Sequence, residues 1–362
     1  MRRDLRAPHR QAPGEVAPGV DGEARERASP RAPLTLLPPT GFLLHPSAPL
    51  HDPGWGHPEH QGRLPAIATA VERALPVLHG KVEPVEARFA TLEELTRVHP
   101  RGYLERIEAA CRQADELGAQ VEVGQETPVS GGSWDAIRGS SGAAIVAVEG
   151  VIEGTLRNAF VAARPPGHHA SAGQAMGFCP VNHVALAARH LQSTGAAERI
   201  AIVDWDVHHG NGTQDIFLLD PTVFFLSLHQ FPFYPGTGSA EERGVAEGLG
   251  TTLNVPLPAR TTGKAYRQAF TDAITQAEGA FAPDLILISA GFDAMAGDPI
   301  GGMLLEPGDF FELARTVMGW AERACSGRVV ALLEGGYHPA RTGQAVAATL
   351  AALAGLEGPP EV

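Results

Sequence analysis

The stretch IAIVDWDVHHGNG, residues 200–212, constrains the fold of this chain more than any other. Its first residues are apolar and β-branched, which is typical of a strand buried on both faces. It ends in Asp204, Asp206 and His208, spaced two apart, and alternate residues of a strand face the same side. We therefore predict two carboxylates and an imidazole on one side of a strand end, a ligand set suited to a divalent metal.

Apolar segments of this kind alternate with helical segments over most of the chain. The predicted strands are residues 158–163, 199–207, 223–228, 251–257, 285–289 and 328–333. The predicted helices are residues 64–78, 91–98, 102–118, 134–153, 181–192, 265–281, 307–324 and 341–353. Strands joined by helices predict the α/β class, with a mainly parallel sheet that carries helices on both faces.

Composition narrows the class of protein further. Residues 1–38 are rich in Arg, Pro and Gly without an apolar period, so we expect a disordered leader before a single domain at residues 39–362. The formal net charge of −13 argues against a nucleic-acid partner and mildly favours cationic substrates. Three widely spaced cysteines imply no disulfide framework, and no apolar run is long enough for a membrane span. We expect a cytoplasmic protein without membrane contact; its oligomeric state is not evident from the sequence.

Polar residues also follow other predicted strands. The motif RPPGHHA would hold His168 and His169 on a rigid loop, where two imidazoles can serve general acid–base chemistry. Taken alone, this motif is equally compatible with two exposed loop histidines. The motif AGFD places Asp293 beyond the strand at residues 285–289, where it could complete the metal site and leave a fourth position for water.

The last predicted strand is followed by EGGYH, whose glycines allow a turn that presents Tyr337. A phenol can donate to a developing oxyanion, although a tyrosine at such a turn is more often a packing residue. Because the carboxyl ends of parallel strands lie together, these groups form the set needed to hydrolyse an amide. In the loop at residues 53–63, we interpret His57, Glu59 and His60 as residues that cap the next helix rather than as metal ligands.

The motifs RPPGHHA, GFCPVN, VDWDVHHGNGTQ, SLH, PGTG, AGFD, GDP and EGGY occur in this order between residues 41 and 353. In this combination the chain resembles the histone deacetylase superfamily, which also contains bacterial acetylpolyamine amidohydrolases. Trp205, Asn211 and the EGGY motif are more similar to class II members than to class I. The resemblance implies the three-layer arginase/deacetylase fold.

The resemblance also implies roles for individual residues. Asp206, His208 and Asp293 would bind Zn²⁺, and His169 would be the general base. His168 would assist electrostatically with Asp204 as its carboxylate partner, and Tyr337 would hold the oxyanion. Asn211 stands where class I members have Asp, and a neutral partner should leave His169 less easily protonated. The family also binds K⁺, whose ligands would be Asp204, Asp206, the backbone of His208, Ser227 and Leu228.

A narrow tunnel would lead the acyl chain to the metal. By resemblance its wall contains Gly177 and Phe178 of the GFC motif, together with Tyr234, where the family usually has Phe. Two further positions bear on the substrate. Ile300, after GDP, stands where polyamine-selective members carry a carboxylate. Glu126 would lie at the tunnel rim and contact the substrate; the alternative interpretation of Glu126 is a solvated charge on a loop.

These observations predict a zinc-dependent amidohydrolase that removes acetyl or a similar acyl group from the lysine of a protein or from a small amine. An acetylpolyamine amidohydrolase is the alternative within the class, and Ile300 disfavours it. A non-catalytic binding protein is disfavoured by the intact set of catalytic residues. An arginase-like manganese hydrolase would need further acidic ligands, which the sequence does not show.

Overall fold

The computed structural model of the chain describes residues 37–362. The leader expected at residues 1–38 lies outside the described residues except for its last two, so that domain boundary stays a prediction. The described strands are β1 (Thr40–Leu43), β2 (Val82–Pro84), β3 (Val121–Glu122), β4 (Gly124–Gln125), β5 (Pro128–Val129), β6 (Asn158–Val161), β7 (Ala175–Met176), β8 (Ile200–Asp204), β9 (Val223–Gln230), β10 (Thr252–Leu257), β11 (Leu285–Ala290) and β12 (Val329–Leu333).

The described α-helices alternate with these strands and match most of the predicted ones to within a few residues. They are α1 (Arg63–Leu78), α2 (Leu92–Leu95), α3 (Arg101–Leu117), α4 (Ser133–Glu153), α5 (His183–Thr194), α6 (Asn211–Phe217), α7 (Gly263–Ala280), α8 (Pro307–Cys325) and α9 (Pro339–Leu353). Between Leu37 and Val362, no helix has the length and apolar character needed to cross a bilayer.

Eight strands form one sheet in the order β10-β9-β8-β11-β12-β6-β1-β2, and every neighbouring pair is parallel. This confirms the predicted parallel sheet. The four strands that precede the polar motifs, β8, β11, β12 and β6, are consecutive in the sheet. Since parallel strands share one carboxyl edge, the sheet brings the four motifs together.

Helices cover both faces of this sheet, which confirms the three-layer α/β fold. Ala201 and Val203 pack with residues of α1, α7, α8 and α9, whereas Ile200 and Ile202 pack with residues of α4 and α5. The alternation follows from the two-residue period of a strand. Both faces of β8 are therefore dry, and each fully buried Val or Ile contributes roughly 1.5–3 kcal/mol of transfer free energy.

The predicted strand at residues 199–207 is too long, because β8 ends at Asp204. The carboxylates of Asp204 and Asp206 then accept hydrogen bonds from nearby backbone N–H groups, which therefore do not pair with a neighbouring strand. Asp204 Oδ1 accepts from the Asp206 N–H at 3.1 Å, and Asp206 Oδ1 accepts from the His208 N–H at 2.9 Å. Such local bonds compete with a strand ladder. Asp206 and His208 thus lie on a turn, and the strand alternation proposed for them is wrong.

The interpretation of residues 57–60 as helix caps is also wrong. Helix α1 has Gly62 at its N-cap without a side-chain capping bond. Glu59 is instead buried between two arginines, with Oε1 at 2.9 Å from Arg63 Nη1 and 2.8 Å from Arg164 Nε. The last two strands at one side of the sheet, β1 and β2, were not predicted, because runs of three or four residues carry little periodic signal.

Candidate functional site

A cavity of about 660 Å³ opens at the carboxyl edge of the sheet. Eight of the predicted catalytic, metal-binding and substrate-contact residues line it, namely Glu126, His169, Gly177, Phe178, His208, Tyr234, Ile300 and Tyr337. His168, Asp204, Asp206 and Asp293 are buried behind this lining. The sheet therefore brings the predicted catalytic, metal-binding and tunnel residues to one place.

Three side chains converge at the bottom of the cavity. His208 Nδ1 lies 3.0 Å from Asp206 Oδ1 and 3.2 Å from Asp293 Oδ2. The Asp293 Oδ2 atom makes no hydrogen bond with the residues that the structure describes. A buried carboxylate oxygen that lacks a partner costs free energy unless a cation neutralises it. The nitrogen and oxygen donors of this group fit a divalent metal such as zinc.

The two carboxylates are held by backbone groups on opposite sides. Asp293 Oδ1 accepts from the Val207 N–H at 2.8 Å, and Asp206 Oδ2 accepts from the Gly335 N–H at 2.9 Å. A Cβ atom on Gly291 would overlap Asp206 Oδ2, and one on Gly335 would overlap Asp293 Oδ2. Burial and the charge of Asp206 raise the pKa of Asp293, as expected for two carboxylates buried side by side.

The two neighbouring histidines have opposite electrostatic surroundings. His168 Nδ1 lies 3.0 Å from Asp204 Oδ2; burial opposes its protonation, but Asp204 and Asp206 raise the pKa of His168 to about 10. His169 Nδ1 lies 2.8 Å from Asn211 Oδ1, and burial together with His168 lowers the pKa of His169 well below its usual value. The ring centroids lie 4.0 Å apart, and the opposite pKa shifts favour protonation of His168 and a neutral His169.

Tyr337 reaches the cavity from the turn after β12. Its N–H donates to Asp298 Oδ2 at 2.7 Å, and its ring packs edge-on against Phe178 with centroids 5.9 Å apart. Burial raises the pKa of the Tyr337 phenol well above its usual value, so the hydroxyl stays protonated and can donate.

Two supporting residues were missed in the sequence. Glu334 Oε2 accepts from the Gly167 N–H at 2.6 Å and the His168 N–H at 3.1 Å, which ties the histidine loop to the end of β12. Arg63 donates from Nε to Gly336 O at 2.7 Å, and its Cζ lies 5.0 Å from the Tyr337 ring. The i, i+4 spacing of Glu59 and Arg63 indicates a possible ion pair, and this signal could have identified Arg63.

The wall of the cavity is closely packed around Gly177 and Phe178. Phe178 and Glu126 both adopt left-handed backbone conformations, and the Phe178 N–H donates to Glu126 O at 3.1 Å. A Cβ atom on Gly177 would lie 2.5 Å from His169 Cδ2, so this position has no space for a side chain. The buried Tyr234 hydroxyl, which would lie 3.0 Å from the same Cβ atom, has no hydrogen-bond partner among the described residues.

The potassium ligands expected from the resemblance lie at the end of β8 and on the neighbouring strand β9. Asp204 of β8 and Ser227 of β9 are register partners, and both are buried. Leu228 follows, and its carbonyl accepts from Tyr266 Oη at 3.3 Å. This ligand set stays a prediction.

Comparison with known proteins assigns the family. The profile of the histone deacetylase domain matches residues 57–353, which is most of the chain. The chain belongs to the histone deacetylase family. A curated relative, "Histone deacetylase 14, chloroplastic" of Arabidopsis thaliana, is 38% identical over 309 residues, covering 83% of this chain and 73% of the relative.

Two further members of the histone deacetylase family support the assignment. The "Histone deacetylase-like amidohydrolase" of Pseudomonas aeruginosa is 40% identical over 316 residues, which cover 86% of this chain and 79% of the relative. The crystal structure of the HDA15 HD domain superposes with a TM-score of 0.82 at 34% identity, covering 90% of this chain and 91% of that one. The protein is thus a histone deacetylase-family hydrolase with the fold predicted from the resemblance.

Proposed function

We propose that this protein is a zinc-dependent deacylase that hydrolyses the amide of acetyl-lysine or a similar acyl-lysine. The observation that carries the proposal is the convergence of Asp206, His208 and Asp293 beside a neutral His169 and a protonated Tyr337. Zinc bound by these three ligands supplies a Lewis acid for the amide carbonyl and lowers the pKa of water.

His169 is suited to be the general base. An Nδ1–H that donates to Asn211 Oδ1 leaves Nε2 with a free lone pair, and the low pKa keeps the ring neutral near pH 7. Nε2 takes a proton from the attacking water and later delivers it to the leaving amine nitrogen, so the proton ends on the product amine.

His168 acts on the general base, whereas Tyr337 acts on the negative charge that develops on the amide oxygen. The Asp204 carboxylate raises the pKa of His168 and so favours a cationic ring next to His169, which opposes protonation of that base before substrate binds. Tyr337 donates its hydroxyl proton in a hydrogen bond to the oxyanion without losing it, because its pKa is high.

The described residues disfavour the alternative functions. The rim position that selects polyamines in the related enzymes is occupied by Ile300, which supplies no charge. For an arginase-like pair of manganese ions, the other group of potential ligands in residues 37–362 is His168, Cys179 and Glu334, which adds only one carboxylate. Potassium binding at Asp204, Ser227 and Leu228 and a cytoplasmic location remain predictions.

The proposal is tested by turnover of acetyl-lysine peptides, longer acyl-lysines, acetylspermidine and acetylputrescine. We expect hydrolysis of an acyl-lysine, and we expect Tyr337→Phe and His169→Ala each to lower kcat by about 10²–10⁴-fold with zinc still bound. Near-normal turnover in either variant would overturn its assigned role.

A second test concerns the metal. Asp293→Ala should lose zinc, because it removes one of three ligands, whereas Asp272→Ala on the exposed face of α7 should keep one zinc per chain. Elemental analysis of the purified variants provides the measurement. Unchanged zinc in Asp293→Ala removes this residue from the ligand set, and two manganese ions per chain would favour the arginase-like alternative.

A further inference from the structure

The side chain of Asn211 is held between two groups. Its Oδ1 lies 2.8 Å from His169 Nδ1, and its Nδ2 donates to the sulfur of Met176 at 3.2 Å. A thioether sulfur accepts weakly and has no proton to donate. If the amide were reversed, its oxygen would face the sulfur without a donor, and its NH2 group would face the Nδ1–H of the base. Met176 therefore favours the amide orientation that the proposed base needs.

The main chain of Met176 is held on both sides. Met176 lies in β7 and pairs with Gln125 of β4. Its N–H donates to Cys179 O at 3.3 Å, and its carbonyl accepts from the Cys179 N–H at 3.0 Å. The same turn carries the tunnel-wall residues 177–178, but within residues 37–362 the lining of the catalytic cavity does not include Met176. Met176 can therefore influence the base without contacting a substrate in the cavity.

Met176 is also the most accessible of the four methionines that the structure describes. Met295, Met303 and Met318 are buried, whereas Met176 is half-buried. The three cysteines are buried too, and burial raises the pKa of each thiol, which disfavours the thiolate that reacts with peroxides. Oxidation of a thioether needs no ionisation. Within residues 37–362, the sulfur of Met176 is therefore the one most open to a peroxide.

Oxidation of this sulfur would disturb its contact with Asn211. The sulfur lone pair forms an S–O bond, the O–O bond of hydrogen peroxide breaks, and the other oxygen leaves as water with both protons. A hydrogen bond from Asn211 Nδ2 to the new oxygen takes about 2.9 Å by itself. Because the S–O bond adds to this length, the sulfur and Nδ2 cannot stay 3.2 Å apart. Either the amide moves, which lengthens its bond to His169, or the sulfur withdraws and leaves the amide unsupported.

We propose that Met176 is a positioning residue for the His169–Asn211 pair and a modification site, whose oxidation to the sulfoxide by a peroxide lowers turnover. The inference rests on the proposed function, because His169 acts there as the general base. The thioether holds the amide in its productive orientation, and the sulfoxide removes that support. Oxidation should lower kcat and leave KM unchanged, since Met176 is outside the described lining of the cavity.

Treatment of the zinc-loaded protein with hydrogen peroxide tests the inference. Mass spectrometry should locate one added oxygen at Met176, and kcat for an acetyl-lysine peptide should fall by about 10-fold or more, the size of effect known for outer partners in metal sites. Zinc content and KM should not change. Methionine sulfoxide reductase with a thiol reductant should restore kcat.

Two variants separate Met176 from the other sulfur atoms. Met176→Leu loses one weak hydrogen bond, so its kcat should fall by no more than about 5-fold and should then not respond to peroxide. The control Met318→Leu removes a buried thioether and should respond to peroxide like wild type. An unchanged kcat after complete oxidation of Met176, or full peroxide sensitivity in Met176→Leu, would overturn the inference while leaving the deacylase proposal intact.

Nitrogen NMR of the His169 imidazole provides a readout that does not depend on turnover, with His169→Gln to assign its signals. The untreated protein should show the Nδ1–H tautomer, and oxidation of Met176 should convert it to a mixture of tautomers. Ring signals that do not change on oxidation would refute the positioning role. If no acyl substrate is hydrolysed, the deacylase proposal fails. The tautomer change then supports the inference about Met176, and its absence refutes it.

Discussion

Asn211 determines how readily the proposed base is protonated. Its side-chain oxygen lies 2.8 Å from His169 Nδ1, and an amide carries no charge to stabilise the imidazolium form. His168, only one residue away, has a carboxylate partner in Asp204, whose charge raises the pKa of this ring. The contrast between two adjacent rings thus depends on partners that lie 36 and 42 residues further along the chain.

Asn211→Asp should therefore raise the pKa of His169. The base must be neutral to accept a proton, so a higher pKa moves the acidic limb of the kcat/KM profile towards higher pH and lowers activity near pH 6. The measurement is a pH–rate profile with an acetyl-lysine peptide. Gln276→Glu adds the same charge on the exposed face of α7 and should leave the profile in place. An acidic limb that stays fixed or moves to lower pH in Asn211→Asp would contradict the role given to this amide.

The sequence places His168 and His169 on one loop but could not rank them. Ranking required the resemblance, since the carboxylate and amide partners come from β8 and from the start of α6. The sequence equally could not show that the Tyr234 hydroxyl has no hydrogen-bond partner within residues 37–362, because hydrogen bonding depends on the packing of distant segments.

At the scale of elements, Glu59 joins the start of α1 to the loop that follows β6. Its Oε1 accepts from Arg63 and Arg164, and all three side chains are completely buried. Burial opposes ionisation, but Arg164, His51 and Arg63 lower the pKa of Glu59 to about 2. A carboxylate with a depressed pKa stabilises the fold above its unfolded value of 4.5 and loses that effect as pH falls towards 2.

Glu59→Gln should lower the free energy of unfolding at pH 7 by about 3–5 kcal/mol, because two buried guanidinium groups lose their counter-charge. The difference from wild type should shrink as pH falls from about 4.5 towards 2, where the native carboxylate itself becomes protonated. Denaturant unfolding across this pH range measures both effects. Glu72→Gln, on the exposed side of α1, is the control and should change little. A loss below 1 kcal/mol at pH 7 would show that the arginines find other partners.

Element positions were largely predictable from the sequence, whereas their ends were not. The long apolar runs of β9 and β11 gave clear strand signals, and the predicted helices at 265–281 and 307–324 agree closely with α7 and α8. By contrast, β8 ends where the carboxylates of Asp204 and Asp206 accept hydrogen bonds from backbone N–H groups two residues further along the chain. The spacing of apolar residues in the sequence does not reveal such an ending. Helix α2 ends at Leu95, three residues earlier than predicted, after a capping box between Thr91 and Glu94.

At the scale of the whole molecule, the proposed metal joins two neighbouring strands of the sheet. Asp206 and His208 follow β8, Asp293 follows β11, and these strands pair along five residues. The strand order that makes them neighbours cannot be derived from a single sequence, because the connections run through other layers. Without a cation, the facing carboxylates of Asp206 and Asp293 repel each other inside the protein.

Removal of metal should therefore lower the thermal stability of the whole domain. We expect a chelator to reduce Tm by several degrees and added Zn²⁺ to restore it, because ligands that bind only the native state stabilise it. Scanning calorimetry of the same sample before and after chelation provides the measurement. Tyr337→Phe should respond like wild type, whereas Asp293→Ala should be insensitive. A Tm that does not change on chelation in wild type would argue that no such ion is bound.

The close contacts of Gly291 and Gly335 with Asp206 and Asp293 restrict which residues can occupy these two positions without disturbing the proposed metal site. At both positions the volume of a methyl group is already occupied by a side-chain oxygen of Asp206 or Asp293. Even alanine must displace the carboxylate of Asp206 or Asp293, so we expect the smallest possible replacement at either glycine to impair the proposed metal site as much as mutation of the carboxylate itself. A library randomised at these two codons and selected for turnover should return glycine alone.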